Sequence, residues 1–263
     1  TFTDSGLIPL KATRDYDALE LRLDKRLSNN FYFNASYTYS RLFGNYAGLA
    51  SSDEGGRTSP NVNRNFDSPI SGYSALGQPD DGRLGTDRPH LFKISAGYNV
   101  DWGSSNTTEF TGFQNISSGT PITTTVTVLG IGTIPLNGRG DLGRTDRFTQ
   151  TDFGVRHRYK FGRDNKFTMV GEIDFLNLFD EDNELGQFNS IAPNQGFNEG
   201  DFGFTTGTDS ENLVNFLRAF QTTSFSSQIN TMITANGGND VRYRQTNSFQ
   251  GPRTVRFGVR FIF

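Results

Sequence analysis

From Val255 to Phe261 the chain alternates and ends on Ile262-Phe263, with Phe257, Val259, Phe261 and Phe263 on one phase and Arg256, Gly258 and Arg260 on the other. A period of two places successive side chains on opposite faces of an extended strand. One face of that strand is aromatic and the other is cationic, so the two faces need different surroundings. The same pattern recurs upstream. Leu19, Leu21, Leu23 and Leu27 alternate with Glu20, Arg22, Asp24 and Arg26, and Phe31, Phe33, Ala35, Tyr37 and Tyr39 follow a turn at Ser28-Asn29-Asn30. Phe92, Ile94, Ala96, Tyr98 and Val100 begin a second pair whose weaker return strand runs around 108–118. Phe153, Val155, Tyr159 and Phe161 begin a third, which turns at 162–165 and returns through Phe167, Met169, Ile173 and Phe175. With the last strand these make seven.

Only 33% of the residues are hydrophobic and the mean hydropathy is -0.54, which is poor material for a buried globule. Yet 25 Phe and 9 Tyr are far too many aromatics for a disordered chain. No apolar run is long enough for a membrane helix. A transmembrane β-barrel reconciles these facts, because its strands are apolar only on alternate residues. Cysteine is absent, which removes disulfide and thiolate-metal chemistry, and a net charge of -3 with mixed signs gives no nucleic-acid footprint. The chain starts Thr1-Phe2-Thr3-Asp4 with neither initiator Met nor signal peptide, as in a mature chain or one whose front lies elsewhere.

Connections alternate in length. Turns after the first, third and fifth strands are short, whereas 42–89, 119–148 and 180–252 are long and rich in Gly, Asn, Asp and Ser. Short turns on one side and long loops on the other are the outer-membrane pattern. A soluble β-sandwich is the alternative, but it would not keep so regular a polar face opposite an aromatic one. The polar phase carries Glu20, Arg22, Asp24, Arg26, Arg156, Arg158, Glu172, Asp174, Arg256 and Arg260, which are costly against lipid and acceptable in a wet lumen. There they could meet a plug or a ligand, or merely pair across strands, with Arg156 opposite Glu172.

Four stretches carry a family likeness: "NISSGTPIT" from Asn115, "DRFTQTDFGVRHRYKFG" from Asp146, "GEIDFLNLFD" from Gly171 and "GPRTVRFGVRFIF" from Gly251. In that order they resemble the closing strands of TonB-dependent outer-membrane receptors, and the Oar-like subgroup most. The resemblance implies an all-β fold, the last seven or so strands of an antiparallel barrel of about 22 strands, with long extracellular loops. It also implies a plug and a TonB-contacting box in an N-terminal part that this sequence does not include, so that other strands and the plug must come from that part or from another chain. Outer-membrane lipid is the remaining partner, and uptake of a bulky ligand through the plugged barrel is the implied function. By the same likeness, Phe257, Phe261 and Phe263 form an assembly signal on the strand that closes the barrel. An outer-membrane barrel that only displays its loops, for structure or adhesion, is the alternative.

The long segment 181–250 departs from the family pattern. Thr208 and Glu211 spell a capping box, Leu213, Phe216, Leu217 and Phe220 form an apolar helical stripe, and a second helix over 226–235 stops at Gly237-Gly238. Such a stripe in an exposed loop is either packed on the chain's own loops or a docking surface for a surface protein. Arg139-Gly140-Asp141 spells an adhesion tripeptide inside a Gly-rich loop, and Asp180, Asp182 and Glu184 have alternate-carboxylate spacing without the rest of a calcium loop. "LGTDR" at 84–88 and "LGRTDR" at 142–147 echo each other just before strands, as loop ends that fix the strand tops. His90 and His157, the only histidines, have no nucleophile or carboxylate set beside them, so neither an enzyme nor a cofactor is indicated.

Overall fold

The computed structural model describes residues 5–46, 72–205 and 210–263. Seven long strands follow one another in an antiparallel meander: β1 Arg14–Ser28, β2 Phe31–Gly44, β3 His90–Asp101, β4 Asn106–Ser117, β5 Phe148–Phe161, β6 Phe167–Leu176 and β7 Thr254–Ile262. The two-residue strand Gly82–Arg83 adds to the end of β2. The sheet is open, with β1 and β7 as its edges among the described residues.

Short turns join β1 to β2, β3 to β4 and β5 to β6. Asn29 and Asn30 both take positive φ (53° and 62°), the backbone that a two-residue hairpin requires. Asp164 and Asn165 do the same (both 58°) after Gly162. These small polar residues tolerate the left-handed region that β-branched ones resist.

The ladder fixes which residues share a face. Leu21 pairs with Tyr37, Tyr37 with Phe92, and Phe92 with Ile116, while Val155 pairs with Ile173 and Ile173 with Phe257. Among the described residues no other element packs on this aromatic face. Leu21 is 57% exposed and Phe257 77%, so the face can be buried only by a solvent that is itself apolar.

One register irregularity corrects the simple alternation. Between Lys25 and Ser28 the pairing slips, two residues of β1 opposing Tyr32 alone, and Arg26 leaves the ladder. Lys25, just before the slip, continues the phase of Leu21 and Leu23 and lies on the apolar side opposite Phe33. Its Nζ turns back to the hairpin, donating to the Ser28 and Phe31 carbonyls and sitting 5.2 Å from the Phe31 ring centre.

The three long connections all leave the opposite end of the sheet from the short turns, and together they build a cap. Thr125–Val128 pairs antiparallel with Gly132–Pro135 and parallel with Gly196–Phe197, and Glu184–Gln187 pairs with Thr246–Phe249. Two helices complete it, α1 Ser210–Phe220 and α2 Ser226–Ala235. Val126, Val128, Ile134 and Leu136 meet Phe197, Phe202, Phe216, Phe220, Phe225, Ile229 and Ile233 in one buried cluster to which no residue of β1 to β7 contributes. Rings there are closely set, with Phe220 and Phe225 centroids 4.6 Å apart and Phe202 edge-on to Phe220 at 5.2 Å. α2 stops at a left-handed pair, Gly237 (φ 102°) and Gly238 (φ 86°), and the Gly238 amide donates to the Ile233 carbonyl. Thr208, the first half of the expected capping box, lies outside the described residues.

The segment leading into β1 is tied to this cap. The Gln221 side-chain amide accepts from the Ile8 amide (2.8 Å) and donates to the Ile8 carbonyl (3.1 Å), while Phe225 N donates to Ala75 O. Gly77, at φ 71°, passes so close to Thr223 that a Cβ there would sit 2.5 Å from its carbonyl oxygen.

Candidate functional site

The polar face of the sheet carries a connected charge network. Strand register sets Glu109 opposite Arg156 and Arg156 opposite Glu172. Arg156 bridges both carboxylates, at 3.4 Å to Glu109 and 3.3 Å to Glu172, and Arg158 reaches Glu109 at 3.5 Å. Tyr32, on β2, extends across β3 to donate to Glu109 on β4 (3.3 Å). It can do so because it lies over Gly97, where a Cβ would come within 2.3 Å of the ring. Glu172 likewise lies over Gly258, with 2.6 Å to a hypothetical Cβ. Glycine on this face therefore provides the floor on which long side chains lie flat. Each pair is half-exposed, so each contributes about 0.2 to 1 kcal/mol.

The remaining residues of the expected polar set are dispersed. Arg22 pairs with Asp24 along its own strand (2.7 Å), and Asn34 donates to Asp24. Glu20 sits opposite Thr38, and Asp174 lies between Gly154 and Arg256 in the ladder. Arg260 stands opposite Val170. Neither Arg256 nor Arg260 forms an ion pair among the described residues. Asp152, Asp174, Ser95, Thr111 and Phe113 border a shallow hollow of about 200 Å³ on this face. Glu109 and Tyr32 are the participants that sequence reading missed. Glu109 sits in the strand whose apolar phase is interrupted by Gly112 and Gln114, which weakens the alternation that would have assigned its face.

At the looped end the two echo motifs meet. Arg144, from the second, donates to the Asp87 carboxylate of the first, to the Asp87 carbonyl (2.8 Å) and to the Gly119 carbonyl (2.9 Å). Asp87 is almost fully buried and also receives the Leu42 amide (2.7 Å) and Arg83 (3.1 Å). Burial pushes its carboxyl pKa up, but Arg144, the Leu42 amide and Arg83 outweigh that and hold it below the usual carboxylate value. Arg139 of the adhesion-like tripeptide is buried in a 2.8 Å pair with Asp80, and Asp141 accepts the Thr124 amide (2.7 Å). That tripeptide is a structural joint and offers nothing to an adhesion partner.

The structure also decides between the two readings of the α1 stripe and shows how the three spaced carboxylates lie. Phe216, Leu217 and Phe220 are buried in the cap's own core, and Leu213 alone of the stripe is exposed. The stripe is thus consumed by this chain's loops, because the two helices and the small sheet supply one another's apolar faces, and it cannot serve as a docking surface. Asp180, Asp182 and Glu184 do not converge. Asp180 accepts the Arg253 amide instead (2.7 Å), and among the described residues no metal-binding cluster of His, Cys, Asp or Glu occurs.

Comparison with known proteins fits this geometry. A family model described as an outer membrane beta barrel domain matches residues 2–168. The chain belongs to the outer-membrane β-barrel family. It is also 28% identical over 259 residues, 95% of its length, to the TonB-dependent transporter Oar of Myxococcus xanthus, and it spans 22% of that relative. No solved structure matches it. The chain is an Oar-like portion of a barrel in the bacterial outer membrane, and the open sheet is what a part of such a barrel presents.

In an outer-membrane barrel the aromatic face of the sheet meets lipid and the charged face lines the interior. Both histidines lie on the lipid side, at opposite ends. His90 shares a 2.8 Å hydrogen bond with Tyr37 and packs beside Tyr39, and His157 shares one of 2.9 Å with Thr108, which also accepts from Trp102. Tyr159, Phe161, Phe167 and Phe261 cluster at the short-turn end, with Phe263 next to Phe261. These are the aromatic girdles of the two membrane interfaces.

Proposed function

We propose that this barrel portion belongs to a TonB-dependent transporter that takes up a bulky ligand through a plugged barrel. The observation that carries this reading is the likeness, over 95% of this chain and 22% of the relative, to a protein of that name, and the charged network of Arg156, Arg158, Glu109, Glu172 and Tyr32 supports it. An interior so lined stays wet and offers both signs of charge to a plug. The plug, the TonB contact and the remaining strands belong to the rest of the full-length protein in this reading, and the exposed aromatic face of β7 with Phe257, Phe261 and Phe263 is the surface by which the assembly machinery recognises it. The cap covers the extracellular mouth. A barrel that merely displays its loops is disfavoured by the burial of the α1 stripe, which leaves the helices committed to their own core.

Photo-crosslinking tests the reading. A crosslinking residue replaces Arg158 in the full-length protein, in cells with and without TonB. Intramolecular crosslinks to an N-terminal plug whose pattern changes only when TonB is present are expected. Absence of any plug crosslink, or a pattern indifferent to TonB, sinks the transport reading in favour of display.

A further inference from the structure

Where the long loops leave the sheet, a cleft of about 290 Å³ opens between the 120–122 and 145 segment on one side and the 185–189 and 247 segment on the other. Its size is at the small end of ligand clefts, about 300 Å³. Among the described residues no charged side chain lines it, although the surrounding loops carry Asp141, Arg144, Asp146, Arg147 and Glu184. A phosphate, carboxylate or ammonium entering would lose water without gaining a counter-charge.

The polar groups that do line it are neutral, and several are uncommitted. The side-chain amides of Gln187 and Asn247 make no hydrogen bond among the described residues. Asn189 uses only its NH2, donating to the Thr123 carbonyl (3.0 Å), which leaves its carbonyl oxygen available. Thr145 accepts the Thr120 amide (3.0 Å) and keeps its hydroxyl proton to donate. Asn247 lies against Gly186, where a Cβ would be 2.8 Å from its Oδ1, so the cleft wall is shaped to seat that amide. Leu185, 40% exposed, adds apolar surface beside these groups, with Ile122 buried behind the wall. One wall is rigid, since Arg144 ties Gly119 to the buried Asp87.

We propose that this cleft binds a neutral saccharide. Primary amides present a donor and an acceptor side by side, matching vicinal hydroxyls, and the apolar surface of Leu185 suits the C–H face of a sugar ring. A peptide is the weaker fit, because the uncommitted groups are side-chain amides on separate strands and not the row of backbone groups to which an extended peptide adds. The inference names a ligand class for the proposed transporter and rests on that reading for its biological sense.

The test uses the purified full-length protein in detergent, titrated calorimetrically with maltohexaose, cellohexaose, mannohexaose and, as the competing class, a blocked hexa-alanine peptide. At least one hexasaccharide should bind, and the double variant Gln187→Ala with Asn247→Ala should weaken it by about tenfold or more. Heat-modifiable migration of both proteins establishes that the variant is folded, and Gln187→Glu should weaken binding too by placing a charge in the cleft. Binding of none of the three saccharides, preference for the peptide, or unchanged affinity in the double variant overturns the proposal. Binding by purified protein needs no energy from TonB. Saccharide binding together with a TonB-indifferent crosslink pattern would therefore remove the transport reading and leave the cleft standing, and the reverse pair of results would do the opposite.

Discussion

Phe257 and Phe216 are both phenylalanines on regular elements with one apolar face, yet Phe257 is 77% exposed and Phe216 is wholly buried. Their neighbourhoods explain the difference. Phe257 stands on a sheet whose apolar side is covered by no other element among the described residues, whereas Phe216 is enclosed by Phe202, Phe204 and Phe220 at ring distances of 5.6, 5.4 and 5.1 Å. The sheet leaves its hydrophobic face to lipid and keeps its cohesion in the hydrogen-bonded ladder. The cap, projecting into water, must generate a core of its own. One chain thus answers two solvents with two kinds of stability, and substitutions should separate them.

The largest effect is expected in the cap. Phe216→Ala removes a fully enclosed ring and should destabilise the cap by about 3 to 5 kcal/mol. Because no residue of β1 to β7 belongs to that core, limited proteolysis should cut within the loops while heat-modifiable migration of the membrane-embedded part persists. Loss of the assembled barrel itself would break the comparison, showing that cap and sheet fold as one unit.

The sheet should respond in the opposite way. Ile173 lies mid-strand between Val155 and Phe257 on the lipid face. Ile173→Arg should cost about 2 to 4 kcal/mol, as a charge at the bilayer midplane does, and reduce the folded fraction in lipid vesicles. Ser95→Arg, on the polar face opposite Asn34 and Phe113, should be nearly silent in the same measurement. Equal losses from both would refute the assignment of the faces.

This contrast also governs what the sequence made legible. Period-two alternation is a local signal, and it placed all seven long strands, the register that sets Arg156 opposite Glu172, and the lipid-facing phase of Phe257 and Phe261. The second helix could be bounded because two glycines stop it. The cap's shared core was not legible, since it joins residues as distant as Leu7, Val126 and Ile229, and no periodicity reports contacts between loops. Its three-stranded sheet is built from strands of two to four residues, too short to show alternation. The structural role of the adhesion-like tripeptide was illegible for the same reason, because the Asp80 that buries Arg139 lies 59 residues earlier. The bulge at Arg26 and Leu27 was equally hidden, because it shifts the register of a strand without leaving a mark in its composition.

A smaller effect, reported by pH, should come from the junction between the two regions. Asp87 fastens the top of β2, through the Leu42 amide, to the second loop, through Arg144. Its pKa is held below the ordinary carboxylate value near 3.9, the ionised form being favoured by those partners despite burial. A group depressed on folding contributes stability that is fully present above its unfolded pKa and disappears as pH falls through its lower folded value. The junction should therefore hold from neutral pH down to about pH 4 and loosen below. Hydrogen exchange at the Leu42 amide, followed in the full-length protein at pH 6 and pH 3, measures this directly. Asp87→Asn keeps an acceptor for that amide and loses the charge, so it should accelerate exchange at pH 6 by an amount corresponding to at most about 1.5 to 3 kcal/mol. The variant should also show less change between the two pH values than the parent, once intrinsic exchange rates are divided out. A parent profile as flat as the variant's would mean that Asp87 is a passive neighbour of the joint, and that the cap is fastened to the barrel by its packed loops alone.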